Sequence, residues 1–212
     1  MTEQTTSRAN AVYETLRGAI KDGRYAGGAR LRERDIAAEL GVSRTPVREA
    51  LLRLVSRGLL DAAPGGLVVR DLSRRQILEL YASREVLEGG VAGFAAQHAS
   101  ESEVANLRRL AAAFAATGGS LAGVVRANRS FHTALYEAAH NSYLVQLIGD
   151  LNDSLALLRI STFEIEGRFA SAIVEHEAIV DAVARHDAAA ADSSARLHIR
   201  KSTEARLQLI ES

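Results

Sequence analysis

The chain has 212 residues, of which 47% are hydrophobic, 5% aromatic and 25% charged, and its formal net charge is zero. The absence of cysteine excludes disulfides and thiolate metal sites. The sequence begins without a hydrophobic signal core and no apolar run approaches membrane-spanning length, so we expect a soluble, cytoplasmic protein.

The first part of the chain predicts a winged helix-turn-helix. Abundant Ala and Leu with only two Pro favour a mainly α protein. A first helix is expected over about 8–22, after a frayed tail, and two further helices joined by a tight turn are expected between residues 31 and 60. Two short extended segments, 59–62 and 67–70, surround Pro64-Gly65-Gly66, which is typical of a β-hairpin.

The second of the two joined helices has a polar start that faces outward. Gly41 is the expected left-handed stop of the preceding helix, and Ser43 is a suitable N-cap for the next one. The helical period leaves Arg44, Thr45 and Arg48 on the outside, where they could enter a DNA major groove. A helical hairpin whose arginines are merely solvated is the alternative interpretation.

Charge is distributed unevenly along the chain. Residues 1–70 contain 12 Lys or Arg against 8 Asp or Glu, a balance of +4, whereas residues 71–212 contain 14 against 18, a balance of −4. The basic segment is the one that holds the predicted helix-turn-helix, as neutralisation of DNA phosphates requires. A homodimer would double this charge and the number of recognition helices.

The sequence GVSRTPVREAL at 41–51, with LRERDIAAEL before it and the glycine-containing wing after it, closely resembles the GntR family of bacterial transcription regulators. The resemblance implies binding to a double-stranded DNA operator. It also implies base contacts by arginines, backbone contacts by Thr45 and minor-groove contacts by the wing. The implied DNA-binding residues are Arg34, Ser43, Arg44, Thr45, Arg48, Gly65 and Gly66.

The remainder of the chain predicts a second, all-α domain. We place the boundary so that residues 1–72 form the DNA-binding domain and residues 73–212 form a helical domain for effector binding and dimerisation. Six helices are expected, at about 74–98, 101–117, 120–139, 142–162, 168–186 and 188–210. A bundle of six such helices has an interior wide enough for a ligand.

Several polar residues occupy inward positions of these helices. Asn128 and His132 are one turn apart in the third bundle helix, and His176 and His198 fall on the inward sides of the fifth and last helices. Together they could form a metal site in the bundle interior. For each histidine alone, the alternative is a core residue bonded to a backbone carbonyl.

Residues 74–212 resemble the FCD effector domain of FadR-type GntR regulators, and the six helices suit the VanR-like variant. The resemblance implies a divalent metal held by Asn128, His132, His176 and His198, for which NRSFH at 128–132 and EHEAIV at 175–180 carry the match. Many relatives have Asp where this chain has Asn128. Because an amide cancels none of the metal's charge, we expect weaker metal retention and stronger attraction for an anionic effector. Imidazole ligands favour zinc or nickel.

Arg84 is the second unusual residue, because the helical period places it on the buried side of the first bundle helix. A buried cation needs a partner. That partner could be Glu85, Glu88 or a carboxylate of another helix, or it could be the carboxylate of an effector, which relatives often hold with an arginine in this helix. Arg159 is a weaker candidate for the same effector-binding role.

The sequence therefore predicts a dimeric transcriptional regulator, most simply a repressor, whose operator affinity is controlled by a small organic acid at a metal. A metal-dependent hydrolase with an accessory basic domain is the first alternative. Its general base would have to be Glu175, which should point away from the site because it neighbours His176 on the helix. A ligand-free DNA-organising protein is the second alternative, and the polar interior argues against it.

Overall fold

The structure is a computed structural model that describes residues 2–118, 120–158 and 160–211. The chain forms two compact units. The first contains the described residues of Met1–Arg75 and Asp150–Arg159, and the second those of Gln76–Gly149 and Ile160–Ser212. A single boundary between residues 72 and 73 assigns residues 150–159 to the second domain. In the structure these residues are grouped with the first unit instead.

The first unit is a winged helix-turn-helix, as predicted. Its helices are α1 (Thr2–Lys21), α2 (Glu33–Leu40) and α3 (Arg44–Ser56), and its strands are β1 (Arg30–Leu31), β2 (Leu60–Ala63) and β3 (Gly66–Val69). The strands pair antiparallel in the order β1-β3-β2. Strand β1 was not expected, and α1 begins at Thr2 rather than near residue 8 because no proline or glycine interrupts the segment before it.

Apolar side chains of α1 and α3 form the core of this unit. Leu16, Val47, Leu54 and Leu59 are almost completely buried, and α1 packs directly against α3. Gly41 has φ +65°, and its backbone N–H bonds to carbonyl oxygens of the last turn of α2, so this residue both ends α2 and turns the chain toward α3. The core and the turn together hold the start of α3 at the surface.

The second unit is all-α, as predicted. Its helices are α4 (Arg74–His98), α5 (Glu101–Ala115), α6 (Leu121–Ala138), α7 (Ser142–Leu155), α8 (Arg168–Ala184) and α9 (Ala188–Glu211), with a 3₁₀ turn at Thr162–Glu164. The first two residues of α4 and residues 150–155 of α7 are grouped with the first unit. Helix α7 ends seven residues before its predicted end at 162. There the backbone N–H of Ala156 is shared between the carbonyls of Asn152 and Asp153, and the hydrogen bonds then tighten to 3₁₀ spacing.

Helix α8 is the central element for the site, because it packs against both α5 and α9. Ala172, Ile179 and Val183 of α8 have no exposed surface. Ser100 begins α5 with a capping box, in which its side chain accepts from the Glu103 backbone N–H. Across the described residues, none of the helices has the length and apolar character that a bilayer span requires.

Candidate DNA-binding surface and metal centre

The start of α3 presents the predicted recognition residues to solvent. Ser43, Arg44, Thr45 and Arg48 are all exposed, whereas Val47 between them is completely buried. Ser43 has the extended backbone of an N-cap residue, but its side chain makes no capping hydrogen bond. Its hydroxyl is therefore not committed to the helix, and the turn is held by the buried apolar residues instead.

Two of the predicted DNA-contacting arginines have acidic neighbours. Arg48 makes a two-bond contact with Glu33 of α2, with Nε to Oε1 at 2.8 Å and Nη2 to Oε2 at 2.9 Å. The Arg48 hydrogen bond lowers the pKa of Glu33, so this carboxylate is ionised at neutral pH. Arg34 lies 3.4 Å from Asp35 and remains three-quarters exposed. Both arginines are exposed to solvent.

The wing turn depends on its two glycines. Gly65 and Gly66 have φ of +82° and +148°, a region that side chains other than glycine rarely adopt. The Arg30 guanidinium of β1 bonds to the carbonyl of Pro64, and a Cβ on Gly65 would lie 2.8 Å from that guanidinium. Both glycines are exposed, so the wing tip offers bare backbone to a partner.

Three buried imidazoles from three helices meet in the second unit. His132 of α6, His176 of α8 and His198 of α9 form what we call the histidine cluster. Their ring centroids are separated by 5.3 Å, 5.1 Å and 4.9 Å. One ring nitrogen from each residue lies within 4.8 Å of the others, so the cluster could hold a metal ion. Their exposed fractions are 4%, 0% and 2%.

His176 is held by stacking and lacks hydrogen bonds. Its ring lies 4.1 Å from the Phe131 ring at 20°, and 4.6 Å from the Phe114 ring. Neither of its ring nitrogens has a hydrogen-bond partner. Burial, together with the positive charge that His198 and His132 could carry, lowers the pKa of His176, so the ring is neutral at pH 7.

A buried carboxylate supports His132. Glu88 of α4 places Oε2 3.2 Å from His132 Nδ1, and its Oε1 accepts hydrogen bonds from Arg84 Nε and the Tyr136 hydroxyl, both at 2.8 Å. Burial alone would raise the pKa of Glu88, but Arg84 and His132 lower it well below the ordinary range. Arg84 therefore pairs with Glu88 of its own helix, which is one of the partners considered for it from the sequence. The Nε2 atom of His132 is buried and has no partner.

A second carboxylate supports His198 in the same way. Glu175 of α8 places Oε2 2.6 Å from His198 Nδ1 and 2.9 Å from Nη1 of the buried Arg168. Burial would raise the pKa of Glu175, but His198 and Ser171 lower it to about 2. Burial lowers the pKa of His198 to about 4, against the opposing effect of Glu175.

The position of Glu175 corrects one expectation. The helical period predicts that Glu175 points away from the site, because it is the immediate neighbour of His176. In the structure its side chain is buried against His198. Helix α8 is covered on two sides by α5 and α9, so adjacent positions can both face the interior. Glu175 and Arg168 are the site residues that the sequence argument missed, since it considered a single inward side of each helix.

The remaining predicted ligands have mixed outcomes. Asn128 lies one turn before His132 on α6, and its Oδ1 is buried without a hydrogen-bond partner, which makes it available as a further donor atom. Arg159 falls outside the described residues. The structure thus brings three imidazoles together, and the Asn128 amide oxygen remains a predicted fourth donor; imidazole and amide donors suit a borderline divalent cation.

A winged helix-turn-helix with exposed arginines at the start of its second helix, accompanied by an all-α unit, defines a DNA-binding transcriptional regulator. Comparison with protein families agrees. The sequence pattern of the "Bacterial regulatory proteins, gntR family" matches residues 8–69, and that of the FCD domain matches residues 79–201.

Individual relatives extend over nearly the whole chain. The chain is 31% identical over 198 residues to the "Probable D-xylose utilization operon transcriptional repressor" of Paenarthrobacter nicotinovorans, covering 92% of this chain and 86% of that protein. It is 29% identical over 196 residues to the HTH-type transcriptional regulator YdhC of Bacillus subtilis, covering 91% and 88%.

Solved structures are similar as well. Escherichia coli McbR/YncC superposes with a TM-score of 0.75 at 25% identity, covering 96% of this chain and 97% of that chain. A GntR-type regulator from Rhodococcus sp. RHA1 gives a TM-score of 0.71 at 30% identity, covering 97% and 99%. This chain belongs to the GntR family of bacterial transcriptional regulators and carries an FCD domain. The families and relatives are regulators, not enzymes, so the hydrolase alternative is not supported.

Proposed function

We propose that this regulator is a homodimeric, cytoplasmic repressor whose operator affinity is controlled by a small carboxylate bound at a divalent metal in the second unit. The buried His176 ring carries this proposal, because both of its nitrogens lack partners next to two further imidazoles. A buried polar group without a hydrogen bond costs about 1–3 kcal/mol, and such groups are retained where they serve a ligand. Metal coordination would satisfy the ring.

The metal would be held by His132, His176 and His198, with Asn128 as a fourth donor. Zinc or nickel suits this set, and the bound ion would supply positive charge and open coordination positions. The two buried carboxylates that contact the cluster, Glu88 and Glu175, are matched by Arg84 and Arg168, and the partly exposed Lys201 adds a positive charge 3.3 Å from Glu175. A divalent ion would therefore leave an excess of at least two positive charges, which favours an anionic ligand and cooperative binding of metal and carboxylate.

DNA recognition would rest on the first unit. We assign base contacts to Arg34, Arg44 and Arg48, backbone contacts to Ser43 and Thr45, and minor-groove contacts to the wing glycines Gly65 and Gly66. Their exposure supports this assignment. A dimer would present two such surfaces to a near-palindromic operator. Repression fits the name of the Paenarthrobacter relative, "Probable D-xylose utilization operon transcriptional repressor".

Two measurements test the proposal. Thermal unfolding is followed with a panel of small carboxylic acids, each with and without Zn²⁺ or Ni²⁺, and we expect acids to raise the melting temperature only in the metal-loaded protein. A gel shift on the DNA upstream of the protein's own gene is then expected to weaken when an active acid is added. Calorimetry that gives the same acid affinity for metal-free and metal-loaded protein would contradict the proposed link between metal and effector.

A further inference from the structure

We propose that Glu88 and Glu175 are positioning residues that hold His132 and His198 with their Nε2 atoms bare and directed to the metal. The inference rests on the proposed metal-dependent function and deepens it. It assigns to each side of the histidine cluster an arginine–glutamate–histidine relay, in which the carboxylate orients the imidazole. Arg84 hydrogen-bonds to Glu88, whereas Arg168 forms an ion pair with Glu175, whose other oxygen accepts from Ser171.

The first relay runs from Arg84 through Glu88 to His132. The carboxylate of Glu88 is 1% exposed and cannot share its charge with solvent. One of its oxygens accepts from Arg84, and the other lies 3.2 Å from Nδ1 of His132. Because an ionised carboxylate only accepts hydrogen bonds, Nδ1 of His132 must carry the proton. The unprotonated nitrogen is then Nε2, the buried atom that has no partner.

The second relay runs from Arg168 through Glu175 to His198. Nδ1 of His198 lies 2.6 Å from Glu175 Oε2 but 3.4 Å from Arg168 Nη2. The shorter contact to the charged acceptor decides the orientation, so Nδ1 donates to Glu175. Arg168 Nη2 instead donates to the Ser202 hydroxyl at 2.8 Å. The remaining nitrogen of His198, Nε2, is left as the unprotonated donor atom.

His176 provides an internal contrast. Neither of its ring nitrogens bonds to a carboxylate, and the ring is fixed by the rings of Phe131 and Phe114. Carboxylates therefore orient the rings of His132 and His198, whereas packing against aromatic rings orients His176. Carboxylates behind metal-binding imidazoles fix the ring tautomer and raise ligand basicity, and their loss costs about 10- to 100-fold in metal affinity.

The test compares charge-removing variants in the full-length protein with matched controls. Glu175→Gln is compared with Glu177→Gln, which removes the same charge from an exposed position of α8. Glu88→Gln is compared with Glu85→Gln, whose carboxylate pairs with Arg200 at 2.9 Å. Competition with a chromophoric chelator measures the Zn²⁺ dissociation constant. We expect an increase of about 10- to 100-fold for Glu175→Gln and Glu88→Gln, and less than two-fold for the controls.

A second readout needs neither metal nor variant. Long-range ¹H–¹⁵N correlation spectra of the metal-free wild type should show the Nδ1–H tautomer for His132 and His198. The inference is overturned by the Nε2–H tautomer in these residues, or by wild-type Zn²⁺ affinity in both Glu→Gln variants. A wild-type protein that binds no divalent metal would overturn the proposed function and the inference together, whereas metal binding that is insensitive to both variants overturns the inference alone.

Discussion

Replacing His176 by Leu should separate the stability of the second unit from its response to metal. The His176 ring is completely buried and makes no hydrogen bond through either nitrogen. Leucine has a similar volume and no polar atom, so the substitution removes the desolvated groups without opening a large cavity. We therefore expect opposite effects on the metal-free and metal-loaded proteins.

The size of the first effect follows from two opposing contributions. Each buried polar group without a partner costs about 1–3 kcal/mol, and Leu removes that cost. The stacking of His176 on Phe131, with ring centroids 4.1 Å apart, is lost, which costs about 0.5–1.5 kcal/mol. With the ring treated as one buried polar group, the metal-free variant should lie between about 0.5 kcal/mol less stable and about 2.5 kcal/mol more stable than the wild type.

Added metal should stabilise the wild type much more than the His176→Leu variant. A ligand that binds only the folded state at about 100 times its dissociation constant stabilises it by about 2.7 kcal/mol. At about 2–4 °C per kcal/mol, the wild type should gain about 5–11 °C in melting temperature. With one of three imidazoles removed, His176→Leu should gain little at the same metal concentration.

Thermal unfolding in a chelator and in excess Zn²⁺ measures both effects in one experiment. His98→Leu is the matched control, since His98 also stacks on an aromatic ring, Phe94, but is exposed and outside the histidine cluster. The control should keep the full response to metal. The reasoning is refuted if metal-free His176→Leu loses clearly more than about 0.5 kcal/mol of stability, or if it keeps the wild-type response to Zn²⁺.

Three further predictions concern other parts of the chain. Arg44→Ala should weaken discrimination between the operator and a base-substituted site by about 5- to 150-fold in fluorescence anisotropy, whereas equal weakening on all DNA would indicate phosphate contact only. Arg84→Ala should lower the free energy of unfolding in urea by about 3–5 kcal/mol because Glu88 is left as an unpaired buried charge, and a near-neutral effect would contradict that pairing. Ser100→Ala should cost about 1 kcal/mol in the same assay through loss of the α5 cap, with no change in DNA affinity.

Much of the fold could be predicted because local signals agree with the final structure. Gly41, followed by exposed polar residues and an apolar period, identifies the turn between α2 and α3, and the wing glycines identify the β2–β3 hairpin. The inward period of three helices also selects the imidazoles that the structure brings together. In each case the residue's role is set within one helical turn or one hairpin.

The features that could not be predicted depend on contacts distant in sequence. Glu88 and His132 are 44 residues apart, and Arg168 and His198 are 30 apart, so neither pairing has a local signature. Glu175 was misplaced because α8 is covered on two sides, which a one-sided helical period does not express.

The fork between Arg48 and Glu33 has a consequence for how this regulator searches DNA. Arg48 is already satisfied by a planar, two-acceptor partner before it meets a duplex. A single phosphate oxygen would replace only one of the two hydrogen bonds that Glu33 accepts from Arg48. The O6 and N7 atoms of a guanine would accept both, in a similar geometry. If Arg48 makes the base contact proposed above, Glu33 would compete with the DNA for its guanidinium. A guanine would then displace the glutamate more readily than a phosphate would, which would shorten the time spent on random sequence.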